Sequence, residues 1–266
     1  MGTSFLVLAS QSPRRRALLA ESGRAFGVLP VPEATEVTPR RSGDLVLPAI
    51  RNALAKARAA AALLAEKKEE SRKARAFCTE PVAPAPLSTG PFGFERPGDG
   101  ASVSDSDDVG HSAASRREVF SSAVDMLTAA RHVIIGCDTI ACVPVGDGSG
   151  EYEILGKPID RADARRMLHL LSGSEHLVIS GLALIALPSG KEITASETTV
   201  LTMDRLSSAT IEDYLESGRW QGKAGAFGYQ DGIKWLHRKS GSVSNIVGLP
   251  MELLSHLLDE LEAKDL

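Results

Sequence analysis

Four short stretches of this chain carry residue types that can do chemistry. In the first, Ser10-Gln11-Ser12-Pro13-Arg14-Arg15-Arg16, a short apolar run gives way to a helix-starting pattern. Backbone N–H groups at a helix N-terminus carry partial positive charge, which makes such a junction a natural phosphate site. Arginines in a first turn oppose the helix dipole, so three in a row point to a bound anion that offsets them; a solvated basic turn is the competing reading. The second stretch, Gly136-Cys137-Asp138-Thr139, puts an acid directly after a buried apolar strand. Strand ends of open α/β sheets collect ligands, and a carboxylate held there can bind Mg²⁺ or orient a water, although an Asp at a strand end is at least as often a turn residue. In the third, Leu155-Gly156-Lys157-Pro158, the proline holds Lys157 in extended backbone, reaching out from a loop. The fourth runs from Gly222 and Lys223 to Gln230; its close glycines let a ligand approach the backbone, and Gln230 offers both a donor and an acceptor.

Other chemistries lack their patterns. There is no GxxxxGK[ST] and no GxGxxG after a strand, so neither a P-loop nor a dinucleotide fold is supported. His132, His169, His176, His237 and His256 show no metal-ligand spacing, His111 lies in a polar insert, and Ser10 has no readable His/Asp partner pattern. Cys78, Cys137 and Cys142 form neither a zinc pattern nor a CxxC, which fits a reducing compartment. A formal charge of -4 argues against an extended nucleic-acid surface. The apolar run Phe5 to Ala9 is too short for a signal peptide, Leu6 stands where a myristoylation signal needs Ser or Thr, and no stretch approaches the ~20 apolar residues of a membrane span. A soluble cytoplasmic protein without membrane or nucleic-acid partners is expected.

The elements that must position these residues follow an α/β order. A strand at Phe5 to Ala9 leads into a helix capped by Ser12, admitted by Pro13 and closed by Gly23. A second helix is expected from about Pro48 to Leu64, where Ile50, Leu54, Ala57 and Ala61 recur at helical spacing. From about 66 to 117 a charge run passes into Pro-, Gly- and Ser-rich sequence that reads as a disordered insertion within a single domain spanning 1–266. A short helix near Ser121 to Ala130 follows, then a strand at His132 to Gly136 and a hairpin turning near Gly146 to Gly150. Next come a helix at Arg161 to Leu171, strands at Leu177 to Leu187 and Thr194 to Met203, and a helix at Ala209 to Glu216. One or two strands between Trp235 and Val247 and a closing helix from Met251 to Leu261 complete the pattern.

Taken together, the stretches resemble the Maf family of nucleotide pyrophosphatases. Leu8 to Arg15 is similar to its opening signature, Asn52-Ala53-Leu54-Ala55-Lys56-Ala57 to its second-helix lysine motif, and Gly136 to Thr139 to its catalytic-acid motif. Ile154 to Pro158, Leu171-Ser172-Gly173, Lys223 to Gln230 and Val247 to Pro250 follow in family order. Two positions depart from the pattern: Gly222 stands where many relatives have an acid, and Asp231 replaces a small residue.

The resemblance implies a two-lobed mixed-sheet α/β fold similar to inosine triphosphate pyrophosphatase, with the active site in a central cleft, a divalent metal (Mg²⁺ or Mn²⁺), and often a homodimer. It places the general base on Asp138 and the second, metal-assisting acid on Glu36, with Glu33 as a rival. Both Asp138 and Glu36 would hold the metal. Ser10, Arg15, Lys56, Lys157 and Lys223 would bind phosphates, while Arg14, Thr139 and Gln230 occupy the base-facing positions and match the branch acting on dTTP and UTP. A regulator of cell division that binds nucleotide with little turnover is the alternative reading. Attack at the α phosphorus adds charge to oxygens that Mg²⁺, Arg and Lys offset while a carboxylate activates water, and this chain supplies each of those parts.

Overall fold

The computed structural model describes residues 4–32, 40–78, 129–146 and 149–263. Among them, eight strands form one mixed sheet. Strand β1 (Phe5–Leu8) pairs in parallel with β2 (Phe26–Val28) and with β4 (His132–Pro144). The long hairpin of β6 (Glu175–Leu187) and β7 (Lys191–Met203) adds antiparallel to β4, and β8 (Leu236–Ser240) closes that edge. Off this path, β5 (Tyr152–Leu155) pairs with the far end of β4 and with the two-residue β3 (Arg41–Ser42).

The turn from β1 into helix α1 (Pro13–Glu21) forms as its local chemistry requires. Ser12 Oγ accepts the Arg15 N–H at 3.4 Å, Pro13 enters where no N–H is needed, and Gly23 closes the helix at φ +70°.

Helix α2 (Val46–Cys78) lies on β4 and β6 through Ala49, Ala53, Ala57 and Ala60, all fully buried. Two glycines permit this approach. A Cβ on Gly136 would fall within 3.0 Å of the Ala53 carbonyl oxygen and of Ala57, and one on Gly181 within 3.0 Å of the Ala49 carbonyl. Small residues on both surfaces thus bring the helix backbone onto the sheet, at the level of Asp138. Gly181→Ala should therefore destabilise the protein by about 1–3 kcal/mol through overpacking, read as a lowered denaturant midpoint at unchanged slope.

On the opposite face, α6 (Met251–Ala263) buries Leu254, Leu257, Leu258 and Leu261 against Leu6, Leu19, Phe26, Leu182 and Leu184. A further apolar cluster joins α3 (Arg161–Leu171) and α4 (Ser208–Glu216) to the Leu155, Val178 and Leu201 end of the sheet and to Phe227. Between them, α5 (Val243–Val247) starts on Ser242, whose Oγ accepts the Asn245 N–H at 3.2 Å.

Three expectations change. The strand expected at His132 to Gly136 runs on to Pro144, because Asp138 to Cys142 continue the pairing with β6, so Asp138 lies within β4 rather than after a strand end. The second helix does not stop near Leu64 but continues to Cys78, through the charge run assigned to the insertion. That run is rich in good helix formers and carries Glu69–Arg72 and Glu69–Lys73 pairs at helical spacing; extending an existing helix needs no new nucleus. The stretch Val243–Val247, expected to be extended, is helical because the Gly241 turn and the Ser242 cap outweigh its β-branched residues. Residues 79–117 of the insertion, and the expected helix at 121–130 except its last two positions, lie outside the described residues.

Candidate active site

A cleft of about 540 Å³ opens where β1 runs into α1 and where β4 passes beneath α2. Ser10, Arg14, Arg15, Lys56, Asp138, Thr139, Lys157, Lys223 and Gln230 all line it. The cleft therefore gathers every site residue anticipated from sequence that lies among the described residues. Glu36 and its rival Glu33 lie outside them.

The acid sits deepest. Asp138 is 6% exposed, and each of its oxygens has one strong donor: Lys56 Nζ reaches Oδ1 at 2.7 Å and Asn52 Nδ2 reaches Oδ2 at 2.9 Å. Burial pushes the carboxyl up, but the Lys56 ammonium, both hydrogen bonds and the more distant Arg15 together outweigh it. The net shift is downward, so Asp138 is ionised at neutral pH. Asn52 lies in the second-helix motif, where the sequence alone assigns it no role. Its signal was the i, i+4 spacing with Lys56, which places both side chains on one helix face toward the same strand.

The two leading arginines of α1 diverge. Arg15 braces three segments, donating from Nε to the Gly248 carbonyl at 2.7 Å, from Nη2 to Thr139 Oγ1 at 3.1 Å and from Nη1 to Ser10 Oγ at 3.4 Å. Thr139 is held in turn by the fully buried Ser180, with the two hydroxyls 2.8 Å apart. Arg14 reaches across the cleft, where Nη2 donates to the Gly222 carbonyl at 3.0 Å. Its half-burial and the nearby Arg15 charge lower its pKa, while Asp231 and Tyr214 act in the opposite sense. Two partly desolvated guanidiniums beside a helix N-terminus favour an anion between them.

On the opposite wall, Lys223 pairs with Asp231. Both remaining thiols in the described core are disqualified as nucleophiles: burial raises Cys137, and pushes Cys142 up to about 12. His176, fully buried and edge-on to the cleft-lining Phe227 at 5.4 Å, is lowered to about 4 by burial and stays neutral behind the wall.

Among the described residues no cluster of three or more His, Cys, Asp or Glu side chains could cage a metal. The donor set nevertheless fits a hard cation. Each Asp138 oxygen keeps lone-pair capacity toward the cleft beside its single donor, and Mg²⁺ completes its shell with water and phosphate oxygens rather than with an all-protein cage.

A family model described as Maf-like protein matches residues 95–261. The chain is 30% identical over 258 residues to the dTTP/UTP pyrophosphatase of Bdellovibrio bacteriovorus, an alignment covering 96% of this chain and 97% of that protein. It is 44% identical over 131 residues to the protein of the same name from Rhodopirellula baltica, covering 49% of this chain and 55% of the relative. With the Ruminiclostridium cellulolyticum protein, again a dTTP/UTP pyrophosphatase, the identity is 40% over 133 residues, covering 50% of this chain and 65% of the relative.

Proposed function

The chain belongs to the Maf-like family, and from that premise we propose that it is a nucleoside triphosphate pyrophosphatase acting on dTTP and UTP or on modified pyrimidine nucleotides. It would cleave between the α and β phosphates and release the monophosphate and pyrophosphate. The observation that carries this reading is one ionised, nearly buried carboxylate facing a cleft whose other charged groups are mostly cations.

In this reading Asp138 accepts the proton of the attacking water as it approaches the α phosphorus. Lys56 and Asn52 hold the carboxylate in one orientation, so its lone pairs are directed before substrate arrives. Ser10, Arg15, Lys56 and Lys157 bind the phosphates and offset charge on the departing pyrophosphate, and Lys223 completes the substrate-binding set. Arg14, Thr139 and Gln230 line the base end. Asp138, together with Glu36, would hold a divalent cation, Mg²⁺ or Mn²⁺. When bound, that cation supplies positive charge to phosphate oxygens.

The proposed frame is a single domain over 1–266, two-lobed like inosine triphosphate pyrophosphatase, with residues 79–117 as an insertion and a homodimer as the assembly. A cytoplasmic location belongs to the same proposal; no helix among the described residues is long and apolar enough to cross a membrane.

A panel of nucleoside triphosphates tests the base reading. Gln230 can both give and accept hydrogen bonds at the imide edge of uracil or thymine, and a purine leaves that pairing unmade at a cost of ~1–3 kcal/mol. Turnover per unit KM should favour dTTP and UTP over ATP and GTP by roughly ten- to a hundredfold. A preference for 7-methylguanosine triphosphate would contradict it.

A further inference from the structure

We infer that Asp231 is a positioning and specificity-determining residue that commits Lys223 to the base-reading wall and withholds it from the phosphates. The inference rests on the pyrophosphatase reading above and concerns a division of labour within the same cleft.

Lys223 and Asp231 bracket a loop built from two single-turn 3₁₀ segments, Ala224–Ala226 and Tyr229–Asp231. Their side chains form an ion pair and are each only 11% exposed. The same Asp231 oxygen accepts the Tyr214 hydroxyl at 3.1 Å, and Tyr214 Oη in turn accepts the Gly228 N–H at 3.2 Å. Tyr214 belongs to α4, is buried, and stands edge-on to Trp235 at 5.4 Å, so the loop is tied to a packed element. Gly228 leaves room for this knot: a Cβ there would fall within 3.0 Å of both Lys223 Nζ and Asp231 Oδ2.

Two consequences follow for the cleft. For Lys223 to reach a phosphate it would have to abandon Asp231, leaving a nearly buried carboxylate without its cation, which is unfavourable. Arg15 and Lys157 line the cleft outside this knot, so the phosphate arm has cations of its own. Meanwhile Gln230 sits next to Asp231 in the second turn, which is closed by Asp231 N–H to the Gly228 carbonyl at 3.1 Å and clamped by Arg219 Nη1 on the Asp231 carbonyl at 3.1 Å. Fixing Asp231 at both its carboxylate and its carbonyl fixes where the Gln230 side chain begins. The carboxylate also faces Arg14, whose guanidinium holds the Gly222 carbonyl beside Lys223.

The test compares Asp231→Asn, Lys223→Met, their double variant and Tyr214→Phe with wild type. Two readouts separate the arms: the ratio of kcat/KM for dTTP to that for GTP, and inhibition by inorganic pyrophosphate, which probes the phosphate arm alone. Asp231→Asn and Lys223→Met should each lower the ratio by about fivefold or more with pyrophosphate inhibition changed by less than about twofold, and the double variant should be no worse than the worse single one. Tyr214→Phe keeps both charges and should lower the ratio in the same sense, which preserves the test if Asp231→Asn does not fold. The inference is overturned if Lys223→Met weakens pyrophosphate inhibition about tenfold while the ratio stays at the wild-type value, because Lys223 is then a phosphate ligand. It is equally overturned if wild type is active and the ratio is unmoved in all variants. A wild-type protein that releases no pyrophosphate from dTTP would instead sink the pyrophosphatase reading itself, and this inference with it.

Discussion

Asp138→Asn should lower kcat for dTTP by about a thousandfold, within the 10²–10⁴ range that a positioned general base supplies, while nucleotide binding persists. The substitution keeps the shape of the side chain and removes its charge and its basicity. Asn52 and Lys56 both donate to this group, so an amide can satisfy one of them through its oxygen but must turn its NH₂ toward the other. Some loss of stability is therefore expected beside the loss of turnover. Binding should survive because Arg14, Arg15 and Lys157 line the cleft independently of Asp138. Equilibrium binding of dTTP alongside single-turnover rates checks both halves. A variant that binds and turns over as wild type does would remove Asp138 from the chemistry.

Lys56→Met should damage both stability and rate. It leaves Asp138, 6% exposed, without its only directly bonded cation, and removing one partner of a buried pair costs about 3–5 kcal/mol. The pH dependence gives a sharper signature. In wild type the folded Asp138 carboxyl lies below its ordinary value, so its contribution to stability is fully present above the ordinary carboxylate range and is lost only as pH falls through the lowered folded value. Without Lys56, two of the causes that oppose burial are gone, so the carboxyl moves upward from its wild-type position. The acid limb of the pH–rate profile should then move upward, and stability measured by urea should fall less on acidification than in wild type, because the raised carboxyl no longer contributes stability through its ionised form. An acid limb that stayed in place would mean that Lys56 does not set the ionisation of the base.

Much of the frame around these residues is legible from local chemistry. Ser12, Pro13 and Gly23 specify the start and stop of α1 with no help from the rest of the chain, and the apolar run at Phe5 reads as the buried strand it forms between β2 and β4. The hairpin of β6 and β7 is long and rich in β-branched and apolar residues, and it appears where expected. Three features are not legible for identifiable reasons. The short strands β2 and β3 have too few residues to show a period and exist only because a neighbour pairs with them. The continuation of α2 past Leu64 rests on propensity and surface pairs, whereas the sequence reading weighted the loss of an apolar stripe.

Within the site, candidates carried by one residue type in one motif were readable, and Asp138 and the first two arginines of α1 do line the cleft. Relationships across the chain were not. Ser180 reaches Thr139 across 41 positions, and Asn52 reaches Asp138 across 86. Asp231 looked like an isolated departure from the family pattern until the fold set it against Lys223 and Tyr214. Even Gly181, an unremarkable residue inside a strand, matters only because the Ala49 carbonyl lies against it.

The most direct test of the account is the identity of the products formed from dTTP in ¹⁸O-labelled water. An ionised Asp138 directing water to the α phosphorus, with cations holding the pyrophosphate that leaves, predicts dTMP and pyrophosphate, with the label in the dTMP phosphate. Release of dTDP and orthophosphate as first products would contradict it.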